Sequence, residues 1–430
     1  MQKIYPILIS FMYVVFIKLF STFLKGYFID SKILSNIGTA NGIFKKAASN
    51  FNVFLDYSIL ILYVVLLYFL YKNEEVLRGT KTKNIIYILT FIFVSLNITT
   101  LIVFQEYRGW DLSLYCINDI SNSLQDLSVN IYDFEYQKIK PGLSPAVWLI
   151  HNKFCNLELF GFSYFNSYFW LQMFVGTALV FKYLNFSYFE SLILSTGLNL
   201  SLLDMIRTGN YGYIVGIVMV ICLKNLSESK NETLNIILLS IVTFLKIQYI
   251  LIISLFFILN KFSFKKLINY FTKFLFVYLI FYFFQYFYYK KAFLDYVSLL
   301  FGGYLTNELV WESGITNPVA SQFISRVSTL ELNLSFYVLM VTVIFGIALL
   351  SKASSRLLLT TSLFSRNKSY DSNYLLLTVE KKYVTEFIFA FCFIPNILFC
   401  FGSMFSLGPI SELLYIPSLV YVVFMSNKSS

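Results

Sequence analysis

The stretch 105–150 carries the residues best suited to chemistry, because acids there lie among regularly spaced apolar side chains. Asp111 comes just after an apolar segment that ends near residue 104. A carboxylate held at the start of a helix is able to act as a general base on a hydroxyl group. The alternative is a solvated loop acid with no chemical role. The apolar residues that follow Asp111 recur at helical spacing and predict a helix over 111–127 with one apolar face: Leu112, Tyr115, Ile120, Leu124 and Leu127.

Two cations lie at the ends of short apolar segments, where a charge is costly unless it faces a polar site or an acid. Arg207 and Lys246 are both able to hold a phosphate group, and arginine does so through two parallel hydrogen bonds. The alternative is that each side chain extends along its helix to reach lipid phosphate. Asp204 precedes Arg207 by one helical turn, which predicts an ion pair between them. Arg326 is a further candidate contact for phosphate or sugar.

The composition indicates which elements must position these residues. Of 430 residues, 58% are hydrophobic and only 13% are charged, and the mean hydropathy is +0.70. Soluble domains carry charges on about a quarter of their residues. We therefore expect an all-α, polytopic transmembrane protein whose apolar surface is covered by lipid. No linker-like or polar block divides the chain, so 1–430 is predicted to be one membrane domain.

A membrane-crossing helix needs about 20 predominantly apolar residues. Three apolar segments, 211–223, 234–246 and 248–260, are too short to cross alone. Short or broken helices occur where the backbone lines a cavity in the protein, so this region is a candidate site. In all, the sequence predicts about twelve spans, near 5–24, 53–71, 85–104, 164–182, 187–205, 211–223, 234–246, 248–260, 268–288, 335–351, 384–402 and 410–425.

The basic residues predict the orientation. They concentrate in four connections, 72–84, 224–233, 261–267 and 352–383, and short basic connections lie on the cytoplasmic side. Both termini then lie inside, while 105–163 and 289–334 lie outside, together with the lysine-bearing segment 25–52. The net charge of +10 is thus explained by topology and by contact with anionic lipid headgroups, and no nucleic-acid partner is expected.

Cysteine and histidine usage predicts no metal centre. The five cysteines show no metal-binding spacing, and His151 is the only histidine. Cys116 and Cys155 fall in the same predicted outer region, and whether they form a disulfide stays open.

Several motifs occur in an order that resembles GT-C membrane glycosyltransferases, and within them glycosyltransferase family 87, which uses polyprenyl-phosphate mannose. The sequence Gly-Trp-Asp-Leu-Ser-Leu-Tyr at 109–115 resembles the family's catalytic aspartate and interface helix. The sequences at 130–136 and 140–145 resemble its next two loop elements. The element Arg-Thr-Gly-Asn-Tyr-Gly-Tyr at 207–213 resembles its polar turn, and Phe-Leu-Lys-Ile-Gln-Tyr at 244–249 resembles a turn between half-spans, without the family's prolines. The family's late histidine element is absent.

This resemblance implies an inverting hexosyltransferase at the non-cytoplasmic face, in a bacterial inner membrane. A polyprenyl-phosphate sugar, of mannose or another hexose, would be the donor, and a lipid or glycan would be the acceptor. Asp111 would be the catalytic base, and no cofactor would be needed, although the outer loop has enough acids to hold a metal. The donor phosphate and sugar would contact Arg207, Lys246, Asn210, Gln248, Tyr115 and Arg326.

The resemblance covers 105–260 and divides the membrane domain into three parts. These are a leading hairpin over 1–84, a catalytic-loop and donor-site half over 85–260, and C-terminal spans over 261–430. The first alternative is an O-antigen or surface-polysaccharide polymerase or ligase, which has a similar size and a large outer loop. The second is a transporter or lipid flippase, which would require inverted repeats and charges at midplane depth; neither is found in the sequence.

Overall fold

The computed structural model describes residues 5–28, 50–104, 144–147, 164–208, 210–247, 249–260, 262–299, 369–404 and 415–428, in some helices by the backbone alone. Within these ranges every regular element is a helix and none is a strand, which confirms the all-α prediction. The predicted span 335–351 and the predicted helix 111–127 lie outside the described residues.

The described helices run in the following order. The N-terminal half has α1 (Tyr5–Phe28), α2 (Asn50–Lys72), α3 (Glu75–Arg78), α4 (Thr80–Phe104), α5 (Tyr164–Tyr183), α6 (Tyr188–Gly197), a 3₁₀ turn (Leu198–Leu200) and α7 (Ser201–Thr208). Next come α8 (Gly212–Ser227), α9 (Glu232–Leu245), α10 (Tyr249–Leu259), α11 (Phe264–Tyr288) and α12 (Lys290–Leu299). The last part has 3₁₀ turns at Ser369–Thr378 and Lys381–Tyr383, α13 (Val384–Ile388), a π-helical turn at Phe389–Phe393, α14 (Ile394–Met404) and α15 (Tyr415–Lys428).

Three of the described helical stretches are long and apolar enough to cross a membrane, namely Thr80–Ile102, Phe264–Tyr288 and Lys381–Cys400. Shorter apolar helices are Ile7–Phe20, Ser58–Lys72, Gly212–Ser227 and Glu232–Leu245. α11 is the most peripheral of these three long stretches. Only 11% of its most apolar 18-residue segment is buried, and phenylalanines cover much of its outer face. The total of twelve spans stays a prediction.

The chain packs around α8, which is buried along most of its length against α5, α9 and the 3₁₀ turn Ser369–Thr378. That turn lies inside the connection predicted for 352–383, so part of this connection belongs to the core and is not a surface loop. The reason is its run of apolar residues, of which Tyr374, Leu375 and Leu376 are at most 3% exposed. Asn373 fixes it by donating a 2.7 Å hydrogen bond to the carbonyl of Tyr213.

The span predicted for 187–205 is interrupted. α6 begins with a capping box, in which the Ser187 hydroxyl accepts from the Glu190 amide and the Glu190 carboxylate accepts from the Ser187 amide. The helix ends at Gly197, and Leu200 has a left-handed φ of 59° before α7 starts. At this break the carbonyl of Gly197 accepts a 2.8 Å hydrogen bond from the side-chain amide of Asn396 in α14.

All four of the predicted cytoplasmic connections carry charges that meet at one end of the bundle. Arg78 pairs with Glu386 at 3.0 Å, which joins 72–84 to the start of α13. Lys266 pairs with Glu232 at 2.7 Å, which joins 261–267 to 224–233. Lys224 lies within electrostatic range of Lys381. α8, α9 and α11 therefore each have one end in this basic region and the other end at the opposite side.

Candidate functional site

The candidate site lies at the opposite end, where the helical run of α9 and α10 breaks. α9 ends at Leu245, and Lys246 is extended, with φ −137° and ψ 93°. The amide of Tyr249 then donates 3.0 Å to the carbonyl of Lys246, and α10 begins. The sequence prediction of two short apolar segments meeting near residue 247 agrees with this break. Where a helix breaks, backbone amide and carbonyl groups are available to a ligand, whereas a continuous helix uses them in its own hydrogen bonds.

Two tyrosines hold this break against the start of α8. The Tyr211 hydroxyl donates 2.8 Å to the carbonyl of Leu245, which is the last residue of α9. The Tyr249 hydroxyl donates 3.1 Å to the carbonyl of Gly212, which is the first residue of α8. The residue before α8 therefore donates a hydroxyl to the backbone of α9, and the first residue of α10 donates one to the backbone of α8. The polar turn at 207–213 and the turn at 244–249, which are far apart in sequence, come into direct contact.

The ammonium of Lys246 lies over the rings of both tyrosines. Its Nζ is 5.8 Å from the Tyr211 ring centroid and 5.6 Å from that of Tyr249, within the range of cation–π attraction. The residue is only 6% exposed. The first turn of α8 adds the partial positive charge of a helix N-terminus. A buried ammonium beside a helix N-terminus is suited chemically to an anionic group such as a phosphate.

Asn210 shapes the start of α8. Its side-chain Oδ1 accepts a 2.8 Å hydrogen bond from the amide of Gly212, and the residue is 5% exposed. The structure thus brings two of the predicted donor-site residues, Asn210 and Lys246, to one place. The backbone of Arg207 lies in α7, one turn after Asp204, but both side chains lie outside the described residues, as does their predicted ion pair.

The other predicted site residues also lie outside the described part of the chain. They are Asp111, Tyr115, Gln248 and Arg326. Among the described residues no group of three or more His, Cys, Asp or Glu could hold a metal ion. Cys222, Cys392 and Cys400 are buried free thiols.

A buried ionic cluster at the basic end was missed by the sequence analysis. The Oε1 atom of Glu190 accepts from Lys83 at 3.1 Å and from Tyr87 at 2.9 Å. Glu386, 1% exposed, accepts from Arg78 at 3.0 Å. Burial alone would lower the pKa of the Arg78 guanidinium, but the hydrogen bond and charge of Glu386 outweigh it and raise this pKa.

Two features of the sequence point toward this cluster. Ser187 and Glu190 have capping-box spacing, and Glu386 is an acid inside an apolar stretch. Because the cluster joins α3, α4, α6 and α13, we interpret it as a structural element that ties these helices together.

Comparison of the chain with protein-family models, with curated proteins and with solved structures found no match.

Proposed function

We propose that this chain is a multi-pass membrane glycosyltransferase that moves a hexose from a polyprenyl-phosphate donor to a lipid or glycan acceptor. The observation that carries the proposal is the position of Lys246, a buried ammonium at a helix break, near two tyrosine rings and beside the first turn of α8. This arrangement supports an anion site, and the exposed apolar side chains of the neighbouring α11 support a donor with a lipid chain.

The order of the motifs provides the second support. The elements at 207–213 and 244–249 resemble donor-site elements of GT-C enzymes, and they meet through the Tyr211 and Tyr249 hydrogen bonds. Two elements that serve one donor must lie together, whereas two unrelated turns have no such requirement.

The proposed reaction is a single inverting displacement. Asp111 takes the proton from the acceptor hydroxyl, and that oxygen attacks the anomeric carbon of the donor sugar. The bond from this carbon to the phosphate oxygen breaks, and polyprenyl phosphate leaves with the electron pair. Lys246 and Arg207 stabilise the charge that grows on the leaving phosphate. The site faces the non-cytoplasmic side, because the basic end of the bundle faces the cytoplasm.

The decisive experiment uses the full chain in lipid nanodiscs with radiolabelled polyprenyl-phosphate hexoses, of mannose and of glucose. Lys246→Gln should weaken binding of polyprenyl phosphate by roughly 10- to 100-fold, because a hydrogen bond to a charged group contributes about 1.5–3 kcal/mol. Lys224→Gln is the matched control, since Lys224 lies near the other end of α8, half-buried and 5.8 Å from the Phe186 ring centroid. It should bind as the wild type does.

Two results would count against the proposal. Equal donor affinity in Lys246→Gln and the wild type would remove Lys246 from the site. Absence of transfer from every polyprenyl-phosphate hexose, with transfer from a lipid-pyrophosphate oligosaccharide, would favour the polymerase or ligase alternative.

A further inference from the structure

Two buried polar groups that have no hydrogen-bond partner in the described part of the chain lie near the end of α11. Ala146, in the short described segment 144–147, donates a 3.1 Å hydrogen bond from its amide to Oε1 of Gln285. The amide nitrogen Nε2 of the same Gln285 is buried and has no hydrogen-bond partner among the described residues. The hydroxyl of Ser144, two positions before Ala146, is likewise buried and has no hydrogen-bond partner among the described residues. Gln285 is 2% exposed and Ser144 is 3% exposed.

Leaving these groups without partners is costly. A buried donor or acceptor that lacks a hydrogen bond loses its contact with water and gains nothing in return, so folded proteins rarely tolerate one without a bound water or ligand. The bond from the Ala146 amide to Oε1 of Gln285 fixes the Gln285 side chain beside the segment 144–147, which also holds Ser144.

This region lies at the same end of the bundle as Lys246. α11 begins at the basic end, where Lys266 pairs with Glu232, so Gln285 in its last turn lies at the opposite end. One turn before Gln285, Phe281 stacks on Phe244 with 5.0 Å between ring centroids. Phe244 precedes Lys246 by two residues. The two unpartnered groups therefore lie on the same side of the bundle as the proposed phosphate site.

Aromatic rings contact the same turn of α11, and α12, which carries one of them, also has a buried acid. Phe293, on α12, contacts the rings of Tyr282 and Tyr286 at centroid distances of 5.6 and 6.2 Å. Asp295, two residues later, also has a buried carboxylate oxygen, Oδ2, with no hydrogen-bond partner among the described residues. Amide, hydroxyl and carboxylate groups beside aromatic rings are suited to a ligand that has several hydroxyl groups on an apolar ring face.

We infer that Ser144 and Gln285 form a binding site for the hydroxyl groups of a sugar. The Gln285 amide donates to one sugar oxygen, the Ser144 hydroxyl exchanges a hydrogen bond with another, and the segment 144–147 is held in place by the bond from Ala146. The inference rests on the proposed function, because the sugar would be the hexose or acceptor unit that reacts near Lys246. It extends that function to residues that no motif indicated.

The variants separate a ligand contact from a structural one. Gln285→Glu keeps an oxygen to accept from the Ala146 amide but removes the NH₂ donor. Ser144→Ala removes a hydroxyl that has no hydrogen-bond partner among the described residues, so a purely structural role predicts unchanged or higher stability and unchanged binding. Ser191→Ala is the matched control, because Ser191 is also a buried hydroxyl without such a partner, but it follows Glu190 at the basic end.

The experiment measures saturation-transfer NMR of methyl α-mannoside, methyl α-glucoside and glycerol with the full chain in nanodiscs. We expect a signal from at least one hexoside and none from glycerol. Ser144→Ala and Gln285→Glu should each weaken hexoside binding by about tenfold, the effect of one hydrogen bond of roughly 1.4 kcal/mol. Ser191→Ala should bind as the wild type does, and the two serine variants should keep the wild-type thermal midpoint to within a few degrees.

Three outcomes would overturn the inference. These are the absence of a hexoside signal in the wild type, equal hexoside binding in Ser144→Ala and the wild type, and a liganded structure with water only between Ser144 and Gln285. The donor-transfer assay with polyprenyl-phosphate hexoses is independent of all three. If one of these outcomes is found and sugar transfer still occurs, the proposed function stands and only the sugar site at Ser144 and Gln285 is ruled out.

Discussion

The hydroxyl of Tyr249 donates a hydrogen bond of 3.1 Å to the carbonyl of Gly212, and so ties the start of α10 to the first residue of α8. Tyr211 makes the complementary bond to Leu245. Both phenol rings also face the ammonium of Lys246. The two tyrosines thus combine a backbone contact with a cation contact, and the two roles can be separated by substitution.

Tyr211→Phe and Tyr249→Phe should each lower the free energy of unfolding by about 1 kcal/mol, because a buried carbonyl loses its donor while the ring stays in place. The measurement is chemical unfolding of the purified chain in detergent. Tyr421→Phe is the control, since its buried hydroxyl has no hydrogen-bond partner among the described residues. An equal loss in Tyr421→Phe would mean that the hydrogen bonds of Tyr211 and Tyr249 contribute nothing specific.

Asp111→Asn should leave a folded, membrane-inserted protein with almost no sugar transfer. Asparagine keeps the size and hydrogen bonding of aspartate but cannot accept the proton, and loss of a general base removes roughly 10²–10⁴-fold of rate. Asp126→Asn, in the same predicted helix, should stay active. The measurement is transfer from a polyprenyl-phosphate hexose, normalised to the amount of folded protein. Near-normal transfer by Asp111→Asn would show that the catalytic assignment is wrong.

Gly176→Ala should destabilise the fold by about 1–3 kcal/mol, the usual cost of overpacking. A Cβ atom at this position would lie 2.6 Å from Cε1 of Tyr213. That ring is buried, and its hydroxyl donates 2.7 Å to the carbonyl of Ser195, so it cannot move away without losing this bond. Gly79→Ala is the control, because its nearest neighbour would be at 3.5 Å. Thermal unfolding should separate the two variants, and equal midpoints would contradict the prediction.

Single cysteines at the two ends of the bundle should be labelled from opposite sides of the membrane. A membrane-impermeant maleimide should react with Glu75→Cys only from the cytoplasmic side, because Glu75 is exposed among the basic connections. Lys291→Cys, exposed at the start of α12, should react only from the other side. The chain without its five native cysteines is the background. Labelling of both positions from the same side would overturn the orientation and the mechanism that depends on it.

The amino-acid sequence alone determined the helical class and most helix positions, because long apolar runs leave the backbone few ways to satisfy its hydrogen bonds. It also indicated the break near Lys246, since the runs on either side are too short for full spans. The charged connections predicted which helix ends share one side, and the contacts of Arg78 with Glu386 and of Lys266 with Glu232 agree with that grouping.

Only the tertiary structure decided which of these parts meet. Hydropathy cannot distinguish a buried apolar turn from an ordinary connection, so the packing of Ser369–Thr378 against α8 was not foreseen. The break after Gly197 was missed for a related reason, because its stabilising donor, Asn396, lies 199 positions away. The pairing of Tyr211 with Leu245, and of Gln285 with Ala146, likewise joins residues whose spacing carries no periodic signal. Local sequence sets the helices, whereas the contacts between their ends arise from packing over long distances in the chain.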